Sequence, residues 1–144
     1  MKLRLDDDKM SDNFFEDTRI LGIASTLKNY QFCWHIEQTM LIDFQTSADL
    51  QIPMEKNKRP YSFTVYEFID PVSSKEHFLY SNKHEGEFLL PELQHLDFIW
   101  LVRDPFHNDE QLSLMQQQIR TIPGVQLVTE VPHDKIKSKD NLQR

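Results

Sequence analysis

The spacing of hydrophobic and polar residues along the chain predicts a protein that combines strands with helices. Strands are predicted at residues 19–24, 61–69, 77–81, 98–102 and 125–131. The first and fourth of these segments are continuous apolar runs, which are typical of strands buried on both faces. The connection at residues 43–60 is polar and contains Pro53 and Pro60, so we expect a loop there.

The segment after the first strand predicts a helix with an unusually wide apolar surface. This helix is expected to begin at a cap formed by Ser25 or Thr26 and to run to about residue 41. Its apolar residues are Leu27, Tyr30, Phe32, Cys33, Trp34, Ile36, Met40 and Leu41. The polar side chains occupy an arc of only about 100°, so the apolar arc is roughly twice as wide as a helix resting on one sheet face needs.

The excess apolar surface on this helix indicates a cover in addition to the sheet. The candidates are the N-terminal arm with Phe14 and Phe15, the loop at residues 43–60, and a second subunit. Glu37 lies inside the same apolar arc. Because a buried carboxylate needs a partner or a raised pKa, Glu37 is expected to have one or the other.

The second helix is marked by Asn108, which has the pattern of an N-cap with Gln111 three residues later. The order of elements predicts a single domain, residues 1–144, of the α+β class. We expect a two-layer sandwich, ferredoxin-like in outline, in which both helices lie on one face of a mixed five-stranded sheet. Residues 1–17 form an N-terminal arm in this prediction, and residues 132–144 form a polar tail.

Composition and charge narrow the class of partner. The 144 residues are 39% hydrophobic and carry a formal net charge of −7. An acidic chain lacks the excess of Lys and Arg that drives DNA or RNA binding, so DNA is not expected as a partner and RNA is disfavoured. The single cysteine, Cys33, indicates no internal disulfide. The N-terminus does not resemble a signal peptide and no apolar run is long enough to cross a membrane, so we expect a cytoplasmic location.

Residues 90–98, with the sequence LPELQHLDF, predict a helical turn that leads into the buried strand at 98–102. Pro91 suits the first position of such a turn, where its missing N–H is not needed. Glu92 lies in the first turn, where the helix dipole favours an acid. Leu93 and Leu96 are spaced to point inward, which leaves two acids, Glu92 and Asp97, that packing does not explain.

The same segment resembles the signature of the IPExxxVDY family, a small bacterial family of unassigned function. Similar stretches occur at residues 21–38 (LGIASTLKNYQFCWHIEQ), 120–125 (RTIPGV) and 137–142 (KSKDNL). Pro91, Glu92 and Asp97 match the signature, whereas Leu90, Leu96 and Phe98 replace its Ile, Val and Tyr. The resemblance also implies genes close to those for a double-strand-specific ribonuclease, pyruvate kinase and fatty-acid synthesis, which is an association without a mechanism.

Three groups of residues are candidates for function. Glu92, His95 and Asp97 are of the types that make an acid/base set. Tyr66, Phe68, Phe78, Tyr80 and Trp100 are aromatics that would stack on RNA bases if they shared the sheet face away from the helices. Trp34 belongs to the wide apolar surface of the first helix. The six histidines and Cys33 lack the paired spacing of a metal site, and no glycine-rich phosphate loop is present, so we expect neither metal nor cofactor.

These features favour a non-enzymatic binding or adaptor module. The module is expected to self-associate as a homodimer, or to bind another protein, through the helix at 27–41 or the aromatic sheet face. Its candidate binding residues are Glu92, Asp97, Tyr66, Phe68, Tyr80 and Trp34. An RNA- or ribosome-associated accessory factor is the alternative, and an enzyme that uses Glu92, His95 and Asp97 is a third.

Overall fold

The computed structural model of the protein describes residues 17–46, 52–56, 59–84, 86–106, 108–137 and 141–142. For residues 52–56 and 59–62 this description is limited to the backbone. The predicted arm therefore lies outside the described residues except for Asp17, and so do the aromatic residues Phe14 and Phe15.

Ten strands and two helices occur in the described part of the chain. The strands are β1 (Thr18–Ser25), β2 (Gln45–Thr46), β3 (Ile52–Lys56), β4 (Arg59–Phe63), β5 (Val65–Ile69), β6 (Glu76–Ser81), β7 (Lys83–His84), β8 (Glu87–Phe88), β9 (Phe98–Arg103) and β10 (Val125–Glu130). The helices are α1 (Asn29–Met40) and α2 (Asp109–Arg120), and short 3₁₀ turns form at Pro91–Leu93 and His133–Lys135.

Six of the strands form one antiparallel sheet in the order β10–β1–β9–β6–β5–β2. The predicted two-layer α+β class is confirmed, but the sheet has six antiparallel strands where a mixed sheet of five was expected. The reason is the place of β1. Helix α2 connects β9 to β10, which run in the same direction, and β1 lies between them in the opposite direction. The crossover therefore does not bring its own two strands into contact.

Both helices pack on one face of this sheet, as predicted. Helix α1 contributes Phe32 and Ile36 to the core, and α2 contributes Leu112 and Ile119. The ring of Phe32 stacks on Phe98 of β9 with the centroids 4.5 Å apart. Each helix thus buries a stripe one or two turns long, which is enough to close a core on the central strands.

The ends of α2 follow from its sequence. The side chain of Asn108 accepts hydrogen bonds from the backbone N–H groups of Glu110, at 2.7 Å, and Gln111, at 3.2 Å. Acidic residues occupy the first turn and Arg120 the last, an arrangement that the helix dipole favours. The predicted cap at Asn108 is confirmed.

The opposite face of the sheet is covered by segments with little regular structure. Leu93 and Leu96 of the junction at residues 90–98 are buried there, together with Ile136 and Leu142 of the C-terminal tail. The tail was expected to be a polar extension, and this is wrong, because two of its apolar side chains complete a core. Gly22 of β1 makes room for the junction, since a Cβ at that position would collide with Leu96.

Residues 43–60 are not the simple loop that their prolines indicated. Strand β2 lies in this segment, and β3 pairs with β4 in a separate two-stranded sheet. Pro53 and Pro60 are compatible with this hairpin, because each strand of a two-stranded sheet has one edge that needs no hydrogen bonds. Thr64 interrupts the strand expected at 61–69, and its carbonyl accepts the N–H of Ser81 at 3.1 Å.

Helix α1 begins at Asn29, later than predicted. Ser25 does not cap it because this residue still belongs to β1, and its Oγ accepts the N–H of Leu27 at 3.0 Å. The N-cap is Lys28, whose N–H donates to the side-chain oxygen of Gln31 at 3.0 Å. The turn between strand and helix therefore uses Ser25 to order the connection and Gln31 to close the first helical turn.

Candidate functional site

The junction at residues 90–98 is organised by Asn82, which is fully buried. Its side-chain N–H₂ donates to the carbonyls of Leu93, at 3.0 Å, and Leu96, at 2.9 Å. Its side-chain oxygen accepts the N–H of Leu90 at 2.7 Å. Its backbone N–H donates to the carbonyl of Asp97 at 2.9 Å. One asparagine thus satisfies both ends of the 3₁₀ turn, which has too few internal hydrogen bonds to satisfy itself.

Asp97 joins the start of β9 to the end of β1. Its Oδ2 accepts the backbone N–H of Ser25 at 2.8 Å, and its Oδ1 lies 2.6 Å from the Nζ of Lys83. The backbone N–H of Asp97 also donates to the carbonyl of Ile23 at 2.8 Å. The carboxylate therefore extends the pairing of β1 with β9 by one side-chain bond, at the point where the backbone ladder ends.

Glu92 binds the C-terminal tail. Its Oε2 accepts the backbone N–H of Lys137 at 2.7 Å, in the tail that covers the second face of the sheet. The tail is held at other places too. The Nδ2 of Asn141 donates to the carbonyl of Leu89 at 2.7 Å, and the hydroxyl of Tyr80 donates to the carbonyl of Leu142 at 2.8 Å. The Nε2 of His133 lies 2.8 Å from the carbonyl of Thr18. Glu92 is therefore one of several groups that fasten the tail to the domain.

These contacts bear directly on the predicted acid/base set. The carboxylates of Glu92 and Asp97 face different partners, one in the tail and one at the end of β1. His95 is exposed between them. The geometry thus explains both acids as acceptors of backbone N–H groups on different elements.

The aromatic residues do not share one sheet face, so the stacking platform considered from the sequence is wrong in its geometry. Trp100 belongs to the core beneath the helices, and Tyr66 and Phe68 pack against that core. Tyr80 and Phe78 belong to the opposite core, where Tyr80 is fully buried. The register explains the division, because Tyr66 lies opposite Leu79 and therefore on the helix side, whereas Val65 lies opposite Tyr80.

A buried histidine and tryptophan meet in the helix-side core. The indole Nε1–H of Trp100 donates to the Nδ1 of His77 at 3.1 Å. Burial lowers the pKa of His77 to about 4, and Lys75 adds to this effect. The hydrogen bond requires an Nδ1 without a proton, so geometry and burial both favour the neutral ring. His77 is consequently a structural acceptor at neutral pH.

Cys33 lies on α1, partly buried against the helix-side core. Burial raises the pKa of its thiol to about 12. A thiol of this kind is neutral at physiological pH and a poor nucleophile. Among the described residues, no group of three or more His, Cys, Asp and Glu side chains is placed to hold a metal ion.

A shallow cleft lies at the N-terminal end of α2. Arg19, Lys75 and Asp104 line it, but their charges are already used in ion pairs. The guanidinium of Arg19 binds Glu130, at 2.7 Å, and Asp109, at 2.8 Å, while the Nζ of Lys75 lies 3.6 Å from Asp104. The cleft is therefore explained by ion pairs between neighbouring elements.

The outer side of α1 carries large apolar side chains that the core does not bury. Tyr30 is 67% exposed, Trp34 57% and Leu41 82%. Tyr30, Trp34 and Glu37, which is also exposed, follow one another at intervals of four and three and therefore line one side of α1, and Leu41 is the C-cap that follows the helix. We call Tyr30, Trp34, Glu37 and Leu41 the α1 stripe.

Two expectations about α1 change as a result. Glu37 was expected to be buried with a partner or a raised pKa, and it is exposed, because the apolar arc is wider than the surface that the helix presents to the sheet. The wide apolar surface of α1 is only partly buried. Phe32 and Ile36 are buried, whereas Trp34, one of the predicted binding residues, remains at the surface.

No helix in the described ranges is both long enough and apolar enough to cross a membrane. Comparison of the chain with protein-family models and with curated protein sequences finds no match.

Proposed function

We propose that the protein is a non-enzymatic binding module that contacts another protein chain through the α1 stripe. The observation that supports this is the exposure of Tyr30 and Trp34 one turn apart on α1, together with the exposure of Leu41 at its C-cap. Single exposed apolar residues are ordinary on protein surfaces, but a contiguous row of large ones marks a site of interaction.

The types of residue in the stripe support the same proposal. Trp and Tyr are the side chains that most often dominate the free energy of protein–protein binding, since each buries a large area with few rotatable bonds. An amphipathic helix that offers anchors at these intervals fits a groove or another helix. The stripe thus presents two aromatic anchors and one leucine to a partner.

The wider identity of the chain is part of this proposal. We propose that it belongs to the bacterial IPExxxVDY family and is cytoplasmic, on the strength of the signature at Pro91, Glu92 and Asp97. Glu92 and Asp97 accept backbone hydrogen bonds at the junction, and Pro91 begins its 3₁₀ turn. The signature therefore indicates a shared fold. Catalysis by Glu92, His95 and Asp97 has less support, because the two acids already accept backbone N–H groups on different elements. RNA binding by sheet aromatics has less support, because these residues are divided between the two faces of the sheet.

The size of the complexes that the protein forms in its native cell tests this function. Trp34→Ala is expected to shift the protein to a smaller complex on a native gel of the lysate, with its thermal unfolding unchanged. Leu114→Ala is the matched control, because Leu114 is 54% exposed on the other helix and lies outside the stripe. Equal behaviour of the two variants would count against the α1 stripe as the contact surface.

A further inference from the structure

The loops at one end of the main sheet carry exposed apolar side chains among acidic ones. One loop is the turn at residues 70–75, between β5 and β6, and the other is residues 104–106, directly after β9. We call these two loops the loop pair. We propose that the loop pair binds a cationic, apolar segment of another protein, a stretch in which Lys or Arg flanks apolar residues. This surface contains no residue of the α1 stripe, and the inference does not depend on the proposed function.

The two loops are held together by the sheet and by an ion pair. Strands β6 and β9 are neighbours, and Glu76 at the start of β6 lies opposite Arg103 at the end of β9. The loops therefore leave adjacent strands, about 5 Å apart. The Nζ of Lys75 lies 3.6 Å from the carboxylate of Asp104, which joins one loop to the other. The apolar side chains of both loops consequently belong to one surface.

Both loops hold an apolar side chain outward by the same arrangement of residues. Residues 70–72 (DPV) and 104–106 (DPF) each place Asp, Pro and an apolar residue in succession. The Oδ1 of Asp70 accepts the N–H of Val72 at 2.8 Å, and the Oδ1 of Asp104 accepts the N–H of Phe106 at 2.9 Å. Proline restricts the backbone between them and the hydrogen bond closes the turn, so the third residue has a fixed position.

The apolar surface of the loop pair is larger than a single exposed side chain. Val72 is 93% exposed and Phe106 is 85% exposed. Ile69, the last residue of β5, directly precedes the first turn and is 50% exposed. Isolated apolar residues are ordinary at a surface, but three of them on adjacent loops form a patch that favours contact with a partner.

The cations at this end of the sheet are already matched by acids. Arg19 binds Glu130 and Asp109, Lys75 binds Asp104, and Arg103 binds Glu76. The tail brings Lys135 toward the same end, because His133 contacts Thr18, but Lys135 follows Asp134 and their charges cancel. These cations therefore leave no excess positive charge beside the loop pair.

Two acids beside the loop pair are not matched in this way. The carbonyl of Asp17 accepts the N–H of Asp104 at 2.9 Å, which places Asp17 next to the second loop. Asp70 belongs to the first loop, where hydrogen bonds from the N–H groups of Val72 and Ser73 lower the pKa of its carboxyl. Within the part of the chain that the structure describes, neither carboxylate takes part in an ion pair. The arm at residues 1–16 holds five acids and three bases, so its sequence adds no net positive charge.

This combination of charge and exposed apolar surface selects the class of partner. A second copy brings the same acids and is repelled, and so are anionic lipids and nucleic acids. A protein segment with Lys or Arg beside apolar residues is attracted by Asp17 and Asp70 and gains contact with Val72 and Phe106. The surface is small, so we expect a dissociation constant of the order of 100 µM.

A peptide titration of the full-length, isotope-labelled protein followed by NMR tests the inference. The probe is a short synthetic peptide in which lysine alternates with leucine. The amide signals of Val72 and Phe106 should shift on binding. The signal of Leu127 should not, because this residue lies opposite Ala24, near the far end of β1. Peptides with glutamate for lysine, or serine for leucine, should bind at least about tenfold more weakly. Absence of binding by the first peptide, or equal binding by all three, would contradict the inference.

Variants in the loops locate the contact. Phe106→Ser and Val72→Ser are each expected to raise the dissociation constant of the lysine–leucine peptide at least about fivefold, with thermal unfolding unchanged. Leu127→Ser is the matched control, since Leu127 is also exposed, and it should bind as the parent does. If Phe106→Ser binds like the parent, the peptide is attracted to acidic surface in general and the inference is wrong. If Phe106→Ser unfolds at a lower temperature, another part of this chain covers the ring, and the inference is wrong as well.

The charge of the loop pair is tested by salt and by one substitution. Raising the salt concentration from about 50 mM to about 500 mM should weaken peptide binding at least about fivefold, because exposed charges are screened. Asp17→Asn should weaken it about twofold. Asparagine suits this position because Asp17 has a φ of 61°, which asparagine also adopts. Binding that is insensitive to both changes would refute a cationic partner. Binding to phosphatidylserine vesicles that requires Phe106 would identify a membrane surface and overturn the inference.

Discussion

The side-chain oxygen of Asn82 accepts the backbone N–H of Leu90 at 2.7 Å, and this bond holds the start of the junction against the end of β6. The same side chain donates to two carbonyls at the far end of the 3₁₀ turn. A fully buried residue thus adds to the two internal backbone hydrogen bonds of the turn, from the N–H of Leu93 to the carbonyl of Leu90 and from the N–H of Leu96 to the carbonyl of Leu93. The second face of the sheet depends on these added bonds.

Asn82→Ala is expected to lower the free energy of unfolding by about 2–5 kcal/mol, because the N–H of Leu90 and the carbonyl of Leu96 lose their partner and each such loss costs roughly 1–3 kcal/mol. The carbonyl of Leu93 still accepts the N–H of Leu96. Urea denaturation followed by circular dichroism measures the loss of stability. Asn108→Ala is the comparison, since Asn108 also makes side-chain bonds to two N–H groups, but at an exposed helix cap worth about 1 kcal/mol. Similar losses in the two variants would mean that the burial of Asn82 does not matter.

Removal of the Glu92 carboxylate should loosen the tail. In Glu92→Ala the backbone N–H of Lys137 loses its acceptor, so we expect its hydrogen exchange to quicken at least about tenfold. The N–H of Val131, which donates to the carbonyl of Ile20, serves as the internal reference and should exchange as before. Gln94→Ala, an exposed change on the same turn, should leave both amides unaltered. Unchanged exchange at Lys137 in Glu92→Ala would refute the fastening role.

His77 should make the stability depend on pH. Its pKa falls from 6.5 in the unfolded chain to about 4 in the folded protein, so the unfolded state binds more protons between these values. The neutral ring of His77 therefore makes its full contribution to the free energy of unfolding above pH 6.5. This contribution decreases by up to about 3 kcal/mol as the pH falls to 4. Thermal or urea unfolding across that range measures the slope.

The matched variant for this prediction is His77→Gln, whose side-chain oxygen still accepts the Nε1–H of Trp100 but cannot be protonated. We expect a smaller loss of stability between pH 6.5 and pH 4 in the variant than in the parent protein. Parallel curves for the two proteins would show that His77 does not contribute.

The thiol of Cys33 should react slowly in the folded protein. With its pKa raised to about 12 by burial, only a small fraction is thiolate at pH 8. A disulfide reagent such as Ellman's is expected to modify it at least about 100-fold more slowly than in urea, where the pKa returns to about 8.5. Comparable rates in the two states would mean that the α1 surface around Cys33 is open.

Leu41→Gly is expected to stabilise the protein by up to about 1 kcal/mol, because glycine adopts the left-handed conformation without the steric penalty of a Cβ. Leu41→Ala retains a Cβ and should change stability little. Chemical denaturation measures both stabilities, and equal values for the two variants would contradict the strain.

Local pattern was sufficient for those elements that are defined by the spacing and type of their own residues. The apolar run that predicted a central strand is β9, and the cap at Asn108 begins α2. The junction was predicted as well, since Pro91 and the spacing of Leu93 and Leu96 are local signals. The strand order was not accessible, because the position of β1 between β9 and β10 is set by packing of the whole chain.

The parts that could not be predicted depend on distant residues. Glu92 and Asp97 were identified as acids that packing does not explain, but their partners are Lys137 and Ser25, 45 and 72 residues away along the chain. Asn82 gave no signal in the sequence, where it follows a strand and resembles an ordinary turn residue. Its burial is a property of the second core, whose members come from segments far apart in the chain.

The pairing of β1 with β9 has a consequence for how the protein folds. Thr18 lies opposite Arg103 and Ile23 opposite Phe98, so the centre of the sheet closes a loop of about half the chain. The entropy of closing such a loop is lost before the strands gain their contacts, which slows folding to the order of milliseconds to seconds. The local β5–β6 hairpin is expected to form early and the sheet centre late. Until then the apolar strand β9 stays open to pairing with other chains, so fast refolding at low concentration should give the highest yield.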